Sequence, residues 1–137
     1  MEKVIADAGP LVAYLKRDDE NHDWAEGIFR RLTSPLKTCD AVLSEAFFLL
    51  QQIHGGTDKL LVLLERGLVI PNFDLLAEPP HVAQLVRQYE SVPMSLADAC
   101  LVRMAELGRN ASIFTLDSDF PIYRKNRRQL IGLIHPD

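Results

Sequence analysis

Cysteine is scarce in this 137-residue sequence: Cys39 and Cys100 are the only two, and no second Cys or His stands two to four residues from either. That excludes a disulfide framework and a zinc finger or ribbon, and it fits two reduced thiols buried in apolar surroundings. The four histidines, His22, His54, His81 and His135, are scattered. No apolar run approaches the roughly 18 residues that cross a bilayer. Met1-Glu2-Lys3-Val4 has neither the basic start nor the apolar core of a signal peptide. The expectation is a cytoplasmic chain with no membrane partner. Positive charge is not in excess either: 15 Lys and Arg against 19 Asp and Glu leave a net −4, so the overall balance carries no nucleic-acid signature. Glycine-rich phosphate loops, the G-x-S-x-G elbow and the H-E-x-x-H zinc pair are all missing.

What is present is the composition of one globular domain spanning 1–137. It is 47% hydrophobic and 25% charged, with 7 Gly and 8 Pro, at a length one core accommodates. Strand-like runs at 3–6, 36–39, 68–70, 112–115 and 130–134 alternate with helical patterns. Gly9-Pro10 leads into the first helix, and Trp24, Ile28 and Leu32 recur every four residues in a second. A strongly helical stretch at 41–53 stops at Gly55-Gly56, and another helix fits 57–66. Pro79-Pro80 opens a helix over 81–89. Ser95 begins one with apolar rows Leu96, Cys100, Met104 and Ala97, Leu101, Ala105, closed by Gly108. This alternation predicts an α/β domain, a short, mostly parallel sheet flanked by helices on both faces. In such folds ligands sit at the carboxyl ends of the strands.

Unusual acids fall at those ends. Asp7 directly follows the first strand, where it can cap a helix or serve a site. Glu45 has Ala41, Val42, Phe48 and Leu49 three and four positions away, all apolar. Either the helix is clamped on all sides with Glu45 facing a polar pocket, or Glu45 marks the edge of a wide apolar face. Asp98 completes a capping box with Ser95. Asp117 and Asp119 follow the strand that ends at Thr115, where an Asx turn would account for one of them. Each acid has a structural explanation singly, but four in corresponding places call for a positive charge among them. With no Cys or His at ligand spacing, oxygen donors point to Mg²⁺ or Mn²⁺, ions that work on phosphate esters.

Asp7-Ala8-Gly9-Pro10-Leu11, Glu45 within a helix, Ser95-Leu96-Ala97-Asp98-Ala99 and Thr115-Leu116-Asp117-Ser118-Asp119-Phe120 together resemble the PIN-domain nucleases, most closely the VapC-like toxins of toxin–antitoxin pairs. The resemblance runs over nearly the whole chain, in order. It implies a PIN-like fold, Mg²⁺ or Mn²⁺, and endonucleolytic hydrolysis of RNA to a 5′-phosphate and a 3′-hydroxyl. It implies Asp7, Glu45, Asp98 and Asp117 as the acidic quartet, with Asp7, Asp98 and Asp117 on the principal metal. Glu45 would hold a second metal or orient water, and Asp119 and Thr115 match accessory positions. An antitoxin and a second copy of the chain are the implied protein partners. One departure stands out: Gly9 occupies the place, two after the first Asp, where many relatives carry a small hydroxyl residue.

The run Arg124, Lys125, Arg127 and Arg128 can guide an RNA backbone or simply face solvent. Other classes also use acids on an α/β sheet. A haloacid-dehalogenase-like phosphatase would use Asp117-Ser118-Asp119, but Pro121 and a poorly placed Lys125 oppose it. A receiver-type domain needs a lysine after a late strand, and a non-catalytic binding module would keep the acids for folding or contacts.

Overall fold

Val4–Ala6 forms β1, and all three residues are buried although neighbours in a strand point to opposite faces. Both faces of the sheet are therefore covered at its centre. The computed structural model describes residues 1–136. Its sheet runs β3-β2-β1-β4-β7, with β2 at Leu36–Thr38, β3 at Val69–Pro71, β4 at Ser112–Phe114 and β7 at Gly132–Ile134. Every pairing is parallel; Ile5 lies opposite Lys37 on one side and Ile113 on the other. Six helices flank it: α1 (Ala8–Leu15), α2 (His22–Arg31), α3 (Asp40–Leu50), α4 (Gly56–Glu65), α5 (Pro79–Gln88) and α6 (Leu96–Leu107). The α/β reading of the sequence holds.

Strands of three residues leave little room for a functional side chain within them, so the acids fall just past their ends or on the next helix. Asp7 follows β1 and caps α1; α6 lies against β1 and β4 and carries Asp98 in its first turn. The capping box predicted at Ser95 and Asp98 is present in both directions.

Two elements depart from the sequence reading by more than a one- or two-residue shift at an end. The helix expected to run to residue 53 stops at Leu50, because Leu50 and Ile53 accept successive turn hydrogen bonds from Ile53 and Gly56. Gly55 there has φ +68°, and a Cβ on Gly56 would lie 2.6 Å from the Leu50 carbonyl oxygen, so only glycine fits. The expected last strand is divided. Gln129–Leu130 (β6) pairs antiparallel with Arg124–Lys125 (β5) in a hairpin, Ile131 turns into the core, and β7 joins the main sheet. Cys39 and Cys100 are buried and free, as expected, yet they are not solitary. Their thiols share a hydrogen bond that pushes the Cys39 thiol up and the Cys100 thiol down.

Candidate active site

Asp7 is only 7% exposed. One carboxylate oxygen accepts the Ala8 N–H at 2.8 Å and the other accepts the Thr115 hydroxyl at 2.7 Å. The same Thr115 oxygen accepts the Asp117 N–H at 3.0 Å, and Asp117 Oδ1 accepts the Asp119 N–H at 2.9 Å. Thr115, wholly buried, thus joins the ends of β1 and β4 through one hydroxyl. It supplies Asp7 with a hydroxyl where Gly9 has none. A Cβ on Gly9 would approach Leu116 Cβ to 3.3 Å, which suits that position to the smallest residue.

Asp98 reaches the same place from α6. Its backbone N–H donates to Ser95 Oγ at 3.0 Å, and its Oδ2 accepts the Ser95 N–H at 3.4 Å and the Tyr123 hydroxyl at 3.0 Å. One oxygen from each of Asp7, Asp98 and Asp117 lies within 4.8 Å of the others. The ion pairs among the described residues lie elsewhere, on Glu26, Glu78 and Glu106. Three carboxylates thus converge without a Lys or Arg to neutralise them.

The electrostatics follow. Burial raises the Asp7 carboxyl to about 6, aided by repulsion from Asp98 and Glu45 and opposed by the Thr115 and Ala8 hydrogen bonds. Asp98 is pushed up by burial and by Asp117, against the pull of its Tyr123 and Ser95 hydrogen bonds. Glu45 is pushed up by burial, then by Asp98 and Asp117. A hard divalent cation would reverse these shifts. An all-oxygen donor set of three carboxylates suits Mg²⁺ or Mn²⁺ better than a metal that prefers nitrogen or sulfur.

Glu45 corrects one reading. Its helix is not clamped on all sides: Ser44, Glu45, Phe48 and Leu49 are exposed, so Glu45 marks the edge of an apolar face. It stands at the open rim of the cluster, close enough to be felt by Asp7, and is not one of the three converging carboxylates. Asp119 adds a backbone donor to Asp117, while its own carboxylate is outside the trio.

The basic run divides in two. Arg124 Nη1 donates to the carbonyls of Pro121, Ile122 and Tyr123 at 2.7, 3.2 and 3.0 Å, so this guanidinium closes a turn. Lys125 belongs to the hairpin, and Arg127 and Arg128 are exposed in its loop. The Asn126 N–H, donating to the Glu106 carboxylate, fastens the loop to α6. Sequence reasoning missed Tyr123. An aromatic three residues after Phe120 reads as core, and nothing local marks its hydroxyl as aimed at an acid.

The PIN domain family model matches residues 4–126. No curated protein matches the sequence. Among solved structures, the fold is similar to VapC20 of Mycobacterium tuberculosis, a sarcin-ricin loop cleaving toxin. The TM-score is 0.71 at 15% identity, over 85% of this chain and 91% of that one. It is also similar to VapBC2 of Rickettsia felis, in a structure bound to a DNA fragment from their promoter. There the TM-score is 0.62 at 16% identity, over 98% of both chains. The acids after β1 and β4 and on α6 thus lie in a chain that belongs to the PIN domain family.

Proposed function

We propose that this protein is a divalent-cation-dependent endoribonuclease and the toxin of a toxin–antitoxin pair, acting in the cytoplasm. The observation that carries the reading is the convergence of Asp7, Asp98 and Asp117 with no cationic side chain among them. Those three would hold Mg²⁺ or Mn²⁺. Such an ion supplies an ionisable bound water and neutralises charge on a phosphodiester. Thr115 keeps Asp7 and Asp117 in register, and Ser95 and Tyr123 hold Asp98. Glu45, at the solvent-facing rim, is placed to orient attacking water or to hold a second ion. Lys125, Arg127 and Arg128 would follow the RNA backbone. In-line displacement at phosphorus would leave a 5′-phosphate and a 3′-hydroxyl.

The partners belong to the same reading: an antitoxin that masks the acids, and a second copy of the chain. VapC20 and VapBC2 support it at the level of fold, and family membership favours it over a haloacid-dehalogenase-like phosphatase or receiver domain. A non-catalytic PIN-like module remains the alternative that experiment must separate. Single-stranded RNA is incubated with purified protein in Mn²⁺, in Mg²⁺ and in EDTA. Cleavage is expected with metal only, and Asp98→Asn should abolish it while leaving the circular dichroism spectrum intact. Cleavage that persists in EDTA, or in the folded Asp98→Asn variant, would overturn the mechanism. No cleavage of any RNA by the metal-bound protein would favour the binding module.

A further inference from the structure

Tyr123 is wholly buried, and its ring meets Phe120 and Tyr89 edge to face with centroids 5.2 and 5.1 Å away. Two such neighbours fix the ring plane and therefore the direction of the hydroxyl. A buried phenol requires a partner, and this one donates to Asp98 Oδ2 at 3.0 Å. The Ser95 N–H meets the same oxygen at a longer 3.4 Å. Both donors to the Asp98 carboxylate fall on Oδ2, which leaves Oδ1 without a hydrogen-bond donor among the described residues. The terminal torsion of an aspartate is otherwise broad and nearly two-fold, so a carboxylate held by the long contact alone would turn readily.

We infer that Tyr123 is a positioning residue of the metal centre, whose hydroxyl locks the Asp98 carboxylate so that its second oxygen stays committed to the ion shared with Asp7 and Asp117. This rests on the metal reading proposed above, but not on the identity of the substrate. The segment is anchored for the task. The Phe120 and Tyr123 N–H groups close turns onto Asp117 and Phe120, and the Arg124 N–H donates to the Tyr89 hydroxyl at 2.9 Å. A partner behind a metal ligand is commonly worth 10- to 100-fold in metal affinity.

The test is Mn²⁺ titration of the EDTA-stripped protein, with free Mn²⁺ read by electron paramagnetic resonance. Tyr123→Phe keeps the ring and its packing and removes only the hydroxyl. It should raise the Mn²⁺ Kd by about tenfold or more. In an Asp98→Asn background the same substitution should have no further effect. Tyr14→Phe, which removes the hydroxyl of a ring stacked on Phe29 at the far end of α1 from Asp7, should leave Kd unchanged. A Tyr123→Phe protein that melts lower but binds Mn²⁺ with wild-type Kd would show a purely structural hydroxyl and overturn the inference alone. Losses that add fully with Asp98→Asn would overturn it too. Wild-type protein that binds no Mn²⁺ would remove the metal reading and this inference together. RNA never enters the measurement, so failure of the nuclease reading is separately visible.

Discussion

Without a cation at neutral pH, Asp7 must be ionised where little water reaches it. Its carboxyl, raised from 3.8 to about 6, binds a proton more tightly in the folded chain than in the unfolded one. The sign follows directly: this contribution to stability is fully present below about 3.8 and is lost as pH rises through about 6. In EDTA the loss attributable to Asp7 is about 3 kcal/mol. Urea denaturation of wild type and Asp7→Asn, both in EDTA between pH 4 and 7.5, isolates it. The difference in stability should shift in favour of Asp7→Asn as pH rises, and two parallel profiles would show that Asp7 carries no such strain. Residues of this kind were legible in the sequence because a carboxylate just past an apolar strand is conspicuous. Thr115 was legible only by position, and Tyr123 not at all, since a hydroxyl's direction depends on packing between segments remote in sequence.

Among the elements, α6 was the most legible, with cap, apolar rows and stop all local. The hairpin was the least. Its Arg-Lys-Asn-Arg-Arg sequence reads as a solvated charge run, and its turn depends on φ +49° at Asn126 and +73° at Arg127. Asn tolerates that region, but Arg carries no local signal for it. Contact with Glu106, itself paired with Arg103, is what pins the loop to α6. The four cations therefore should not behave alike. With Asp98→Asn protein to prevent cleavage, changing Lys125, Arg127 and Arg128 to Gln should weaken RNA binding. It should also flatten the plot of log affinity against log salt by up to about 2, since each phosphate contact on a single strand contributes roughly 0.7. Arg124→Gln should instead lower the melting temperature with little change of slope. A triple variant with the wild-type slope would mean that RNA binds elsewhere.

For the molecule as a whole, the acid cluster sets stability against occupancy. A cation that binds the folded site and not the unfolded chain stabilises by about 2.7 kcal/mol at a hundredfold excess over Kd. Asp117→Asn keeps an oxygen for the Asp119 N–H and removes one charge from the cluster. Its melting temperature in EDTA should exceed that of wild type, and its upward shift on adding Mn²⁺ should be smaller. A lower melting temperature with the full Mn²⁺ shift would reduce Asp117 to a turn residue. The parallel sheet has a further consequence, in time rather than energy. β1 occupies the middle of the sheet, yet β4 and β7, which complete it on one side, come last in the chain. Asp7 leaves the ribosome well before Asp98 and Asp117, which follow it by 91 and 110 positions in the chain. A nascent chain cannot assemble the trio until Asp117 has emerged and β4 has settled beside β1. The order of the strands thus delays the meeting of the three acids until translation has passed β4, long after β1 is made.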